Sequence, residues 1–430
     1  MIKQHTTALA RGSFMAALLL LAGACSQPQS NEPAPANTET TPTENMALQT
    51  GTWRFEMTSP GGPLPFTVTI LEHDGGYKAG AHNDTEVLPF DTVTVSGNQV
   101  TLSIDHYESQ FTGTLDETGT EISGEWTKLV DHTRTAKLPF TANHGDAMRF
   151  VPNNKAGSNV AGTWAVAFTQ DGEPSGEAVA DFRQTDQKVT GTFRTPTGDY
   201  RFLEGLMDGN QLKLSCYDGG HAFLFHAELG EDGTLSGEFW SSDKWYERWT
   251  AKRDADATLP EATNQNRITN DEGLFRFSFP NLNGETVSHD DAALQGKVRL
   301  VSIFGSWCPN CNDEAPLLQQ LKQDYSKKGL AVIGLAFEAT GDTARDTRAL
   351  KRFAKRHKLD YPILLAGTKD KAGAGKMLPD LDSVLAYPTS LLINREGKVV
   401  RIHTGFNGPG TGVHHEKLVK DLRREIEKLL

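Results

Sequence analysis

Between residues 47 and 253, apolar and polar side chains alternate in short runs, such as Phe66-Thr67-Val68-Thr69-Ile70 and Val93-Thr94-Val95. Turn pairs punctuate them, among them Asp74-Gly75, Gly97-Asn98 and Asp208-Gly209. Half-buried strands separated by tight turns predict an antiparallel sandwich or barrel. The pattern also repeats. Gly51-Thr52-Trp53 returns as Gly162-Thr163-Trp164, Leu102-Ser103 as Leu214-Ser215, and Ser123-Gly124-Glu125-Trp126 as Ser236-Gly237-Glu238-Phe239. A self-similarity of about 112 residues is the mark of a duplicated unit. Two similar all-β modules are therefore expected, at 47–150 and 159–253.

From Phe275 the periodicity changes. Val298–Phe304 is a nearly continuous apolar run, as in a strand buried on both faces. A helix should follow, with Leu318, Leu321 and Tyr325 on one face and a stop at Lys327-Lys328-Gly329. Leu330–Leu335 reads as a strand, 343–357 as a basic helix, and Tyr361–Leu365 as another strand. Ser390–Ile393 and Val399–Ile402 flank a turn and read as an antiparallel pair, and 414–430 closes the chain as a helix. Strands alternating with helices predict an α/β domain over 268–430.

The first residues read as an address. Basic Lys3 and Arg11 precede apolar Phe14–Leu21, and small Ala22-Gly23-Ala24 lead into Cys25, as in an export signal. Small residues running into a cysteine resemble a bacterial lipoprotein signal. That resemblance implies a leader over 1–24, lipid on Cys25, and a periplasm-facing place in the cell envelope on a membrane. A plain secretory signal that leaves Cys25 as a thiol is the alternative. Residues 25–46 are polar, Pro-rich and without period, the composition of a disordered tether. No apolar run reaches the ~18 residues of a spanning helix.

Charge narrows the partners. The chain of 430 residues carries a net charge of −12, which argues against nucleic acid. The imbalance is local: residues 1–267 hold 19 basic and 35 acidic side chains, residues 268–430 hold 24 and 20. The acidic half either favours basic partners or keeps itself soluble. His73, His82, His106, His132, His144, His221 and His226 share no metal-ligand spacing and read as surface or hydrogen-bonded side chains. The cluster Phe239-Trp240, Trp245-Tyr246 and Trp249 is expected to pack as barrel core and edge, with ring stacking on a sugar or peptide as the alternative. The opening Gly-Thr-Trp is similar to the Gly-x-Trp start of calycin barrels, although three residues imply no ligand cavity. Four cysteines are too few for a disulfide scaffold. Cys216 overlays Ile104 in the repeat and so reads as a small buried hydrophobe; a reactive thiol is the alternative.

The remaining two cysteines carry the chemistry. The apolar strand runs into Gly305-Ser306-Trp307-Cys308-Pro309-Asn310-Cys311 and a helix. Strand, Trp-Cys-x-x-Cys, helix and a later X-Pro before an edge strand resemble the thioredoxin layout. More closely, 268–430 resembles the TlpA/ResA-like family of envelope thiol–disulfide oxidoreductases. The matching stretches are Trp307–Cys311 with Glu314-Ala315-Pro316, Tyr387-Pro388-Thr389 with Leu391–Asn394, and His403–Gly412. The whole chain should thus be two all-β modules followed by an α/β thioredoxin-like domain.

Cys308 should precede the helix, with Pro309 at its first position, where a missing N–H costs nothing. Free N–H groups and a partial positive charge there should lower the thiol pKa below ~8.5. Cys308 is then the attacking thiol, and Cys311, one turn in, the resolving one with which it forms a disulfide. The resemblance further implies that Glu314 accepts the Cys311 proton, that Pro388 is a cis-proline facing the pair, and that the Tyr387 backbone, with Pro309 and Asn310, meets the substrate. A carboxylate that merely complements the helix dipole is the plain alternative for Glu314. No cofactor is implied, and a metal site is disfavoured because the soft ligands needed to complete one are missing nearby. The implied partners are proteins bearing disulfides and a membrane donor of electrons. An oxidant or isomerase on the same fold, and a β-module binding protein with an accessory redox domain, stand as rivals.

Overall fold

The computed structural model describes residues 46–430; the expected leader, Cys25 and nearly all of the expected tether lie outside the described residues. The first module is a nine-stranded antiparallel meander from Gly51–Ser59 to Thr135–His144. Its first and last strands pair, with Trp53 opposite His144, and curl the sheet into a half-barrel. Glu86–Pro89 and Thr92–Ser96 are the two edges of the sheet, each paired on one side only. Alternation aims Trp53, Phe55, Phe66, Phe111 and Trp126 inward, and all are fully buried. The second module closes, because Glu173–Thr185 pairs with both Gly162–Gln170 and Lys188–Thr195.

The repeated Gly-Thr-Trp has a physical reason. Each tryptophan donates its indole N–H to a carbonyl four residues back, Trp53 to Gln49 at 3.0 Å and Trp164 to Val160 at 2.9 Å. Each glycine turns the chain into that strand at a positive φ, 123° and 120°, where a Cβ would be strained. Cys216 and Ile104 are both fully buried, and burial raises the Cys216 thiol pKa well above its ordinary value. Phe239 and Trp249 join the barrel core, whereas Trp245 and Tyr246 are exposed.

The modules are not separate bodies. Tyr217, Ala222 and Leu224 of the second module belong to the core of the first. Hydrogen bonds seal the join: Asn83 Nδ2 donates to Tyr217 O at 2.9 Å, and buried Arg149 Nη1 to Ser215 O at 3.1 Å. The open side of the half-barrel is thereby covered by its sister.

The C-terminal domain is a five-stranded sheet in which Val298–Phe304 lies centrally. It is flanked by parallel Leu330–Glu338 and antiparallel Thr389–Ile393. Ile363–Thr368 and Val399–Thr404 form the edges. All seven residues of the central strand are buried, as its unbroken apolar run predicts. Helices α1 (Pro309–Tyr325), α2 (Thr343–His357), α3 (Lys371–Met377) and α4 (Val413–Leu429) cover it. Two details differ from the sequence reading. The strand expected at Tyr361 starts at Ile363, after a proline that lacks a ladder N–H. Helix α3 was not expected, since Gly373 and Gly375 erase its periodicity; Asp370 caps it by accepting from Gly373 N at 2.7 Å.

Candidate active site

The chain leaves the central strand, turns through Gly305–Trp307, and enters α1 with Cys308 as its N-cap and Pro309 in the first turn. Cys308 and Cys311 are free thiols, buried to 6% and 2% exposure. Cys308 Sγ accepts from Cys311 N at 3.4 Å and donates to Tyr387 O at 3.2 Å. Tyr387 precedes Pro388 through a cis peptide bond, and Gly405 N donates to Pro388 O at 2.9 Å. Trp307 donates its indole N–H to Phe337 O at 2.8 Å and meets the Tyr387 ring edge-on, centroids 5.5 Å apart. The two thiols, Trp307, Tyr387 and Pro388 are thus brought together.

Beneath Cys311 lies a buried carboxylate. Glu314, 4% exposed, accepts from Ser302 Oγ at 2.6 Å and Ser390 Oγ at 2.5 Å. Burial pushes its pKa up, and the two serine hydroxyls oppose that. Burial, then the adjacent Cys308 sulfur, then Glu314 itself raise the Cys311 thiol well above its ordinary range. Cys311 therefore holds its proton until a neighbour can take it.

A second carboxylate was missed by sequence reasoning. Glu338, 1% exposed at the end of its strand, accepts from Ser306 N at 2.8 Å and Ser306 Oγ at 2.6 Å, pinning the loop that delivers Cys308. Burial raises its pKa from 4.5 to about 7. The folded chain then keeps a proton that the unfolded chain releases, so this group's contribution to stability falls as pH rises from 4.5 to about 7. Glu338→Gln is expected to remove that fall, on the order of 3 kcal/mol at most. Thermal melts at intervals across this window should show a flatter slope for the variant, whatever its absolute stability; parallel slopes would contradict the assignment.

Pro309 and Asn310, expected to meet the substrate, contact the second β-module in this structure: Pro309 O accepts from Arg201 Nη1 at 3.2 Å, and Asn310 Nδ2 donates to Asp199 Oδ2 at 3.0 Å. Arg201 also pairs with Asp313 of α1 at 2.6 Å and with Glu86 of the first module. Burial, opposed by Arg201, raises the Asp313 pKa to about 7. Lys128 is buried near the same face, and burial lowers its ammonium pKa to about 8. Arg201, Asp199 and Lys128 gave no signal in the sequence, being more than a hundred residues from the cysteines they surround. Of the module histidines, His82, His144 and His221 are hydrogen-bonded. His106 is buried, with its Nδ1 3.8 Å from Asp91 Oδ2. No three His, Cys, Asp or Glu side chains gather as a metal site among the described residues.

The C-terminal third is similar to known proteins. The Redoxin family model matches residues 255–422. The thioredoxin-like protein YneN of Bacillus subtilis is 33% identical over 129 residues, which are 30% of this chain and 68% of that protein. The thiol–disulfide oxidoreductase ResA of Halalkalibacterium halodurans is 28% identical over 134 residues, 31% of this chain and 68% of its own. Among solved structures, a thioredoxin-family thiol:disulfide interchange protein from Chlorobium tepidum is 24% identical; the match covers 36% of this chain and 97% of that one, with a TM-score of 0.26.

Proposed function

The chain belongs to the thioredoxin-like family of thiol–disulfide oxidoreductases, and from that premise we propose that it is an exported, lipid-anchored reductase of protein disulfides in which Cys308 attacks and Cys311 resolves. One observation carries the roles: Cys308 Sγ stands at the tip of α1, facing the backbone of Tyr387, whereas Cys311 lies one turn deeper beside Glu314.

In the first step the Cys308 thiolate attacks a client disulfide. A Cys308–client bond forms, the client S–S bond breaks, and one client thiolate leaves. In the second step Cys311 passes its proton toward Glu314 and attacks Cys308 Sγ. The mixed disulfide breaks, the second client thiolate leaves, and Cys308–Cys311 is the product disulfide. The client gains two electrons and the chain loses two. A membrane partner bearing a dithiol would return them, and lipid on Cys25 would hold the chain beside it. The Tyr387 backbone, next to Pro388, supplies an edge for an extended client segment, and Trp307 walls the attack site. No bound cofactor is required.

Cys311→Ser tests the order of the two steps. Without the resolving thiol, the first intermediate should persist, so envelope extracts should yield disulfide-linked adducts at Cys308, identified by mass spectrometry and released by reductant. Adducts that form equally with Cys308→Ser would overturn the assignment.

A further inference from the structure

The two β-modules share a core, but the redox domain does not share one with them. Its buried cluster contains only residues from Phe275 onward, whereas the cluster of the first module includes three residues of the second. Ion pairs and hydrogen bonds run across the join between the redox domain and the β-pair, beside ring contacts such as His106 with Phe353. Helix α2 presents Arg345, Arg352 and Arg356 to the first module. The first two pair with Glu108, and Arg356 pairs with Asp91 at 2.6 Å. Lys369 Nζ donates to Val130 O at 2.6 Å. At this helix, basic side chains of the C-terminal half meet acidic ones of the N-terminal half.

The contact falls on the working face. Arg201 reaches from the second module onto the first turns of α1 and binds the Pro309 carbonyl and the Asp313 carboxylate. Asp199 accepts from Asn310 Nδ2 and, at 2.6 Å, from Gly408 N. Gly405, whose N–H binds the Pro388 carbonyl, lies so close to the second module that a Cβ there would sit 2.7 Å from the Thr197 carbonyl carbon. Beside Arg201 the seam leaves a cleft of ≈ 480 Å³ lined by Tyr107, Asp313, Arg356 and His357. The join is therefore held largely by charged pairs and hydrogen bonds around an incompletely packed cleft, like interfaces between domains that separate.

We infer that the β-pair is a lid on the redox couple, latched by Arg201 on Asp313 and Pro309, and that a disulfide-bearing client must displace it to reach Cys308. The inference rests on the proposed reductase function and adds its regulation. The closed chain keeps the dithiol from indiscriminate exchange. A client that competes for the Pro309–Asn310 and Tyr387–Pro388 face opens it, so the β-pair acts as a selectivity device.

Alkylation of the reduced full-length chain tests the lid independently of catalysis. A polyethylene-glycol maleimide and iodoacetamide are compared, with adducts at Cys308 quantified by peptide mass spectrometry. Arg201→Glu sets a third carboxylate against Asp313 and Glu86. It should speed the bulky reagent by on the order of tenfold, and the small one far less. Glu108→Arg, facing Arg345 and Arg352, should open the other side of the seam without disturbing Arg201. Adding Arg345→Glu and Arg352→Glu should close it again, a rescue that general destabilisation would not give. Bulky labelling that is unchanged in both Arg201→Glu and Glu108→Arg would overturn the lid. Insulin reduction by the same proteins separates the two ideas. Faster labelling without any reduction would remove the reductase reading and keep the lid. Reduction with uniform labelling would do the reverse.

Discussion

Cys308→Ser is expected to leave no measurable reduction of insulin disulfides, with the fold intact. Serine puts a smaller oxygen in place of the sulfur but keeps a donor and an acceptor. Its hydroxyl can still accept from Cys311 N and donate to Tyr387 O, the two bonds that Cys308 makes. The loss is therefore chemical: an alcohol of very high pKa neither ionises near neutrality nor forms a bond to sulfur that a second thiol can break. Neither remaining described thiol can substitute, because Cys311 and Cys216 are both buried and burial raises their pKa values well above the ordinary range. Retained reduction with an unchanged melting temperature would show that the chemistry lies elsewhere.

Glu314→Gln is expected to slow turnover by about a hundredfold, the scale of a lost proton acceptor. It should do so in a pH-dependent way. In the unaltered chain, resolution should quicken as pH rises through the raised pKa of Glu314, because only the carboxylate can receive the Cys311 proton. Glutamine removes that limb. Resolution then waits for the raised Cys311 pKa itself, so the deficit should shrink toward alkaline pH. A carboxylate that only complemented the helix dipole would lower the rate evenly across pH. Stopped-flow decay of a preformed Cys308 mixed disulfide, followed against pH, distinguishes the two.

Legibility in the sequence followed the range of the interactions. The central strand is visible because all seven of its residues are apolar or enclosed, and α1 because its apolar spacing continues from the cysteine motif. The repeat is visible because each Gly-Thr-Trp fixes its own strand entry through a bond only four residues long. Cys308, Cys311 and Glu314 fall within two turns of one helix, so spacing alone set them on one side. The cover over them left no such mark. Arg201 and Asp313 meet across a tertiary seam, and an acid in the first turns of a helix already has a sufficient local reason. Glu338 was hidden likewise, since a glutamate closing a strand looks solvent-facing until Ser306 folds over it. Only the uneven charge of the two halves hinted at the docking, and charge totals do not say which faces meet.

The reversible formation of the Cys308–Cys311 bond is the property on which the rest depends, and a redox titration measures it most directly. Full-length protein is equilibrated in graded thiol–disulfide buffers, and the fraction with the internal disulfide is read by mass spectrometry. The expected result is one two-electron transition at or below thioredoxin's ~ −270 mV, as suits a reductase. A transition well above that value would make the protein an oxidant or isomerase, and failure of the two sulfurs to join under any buffer would contradict the account outright.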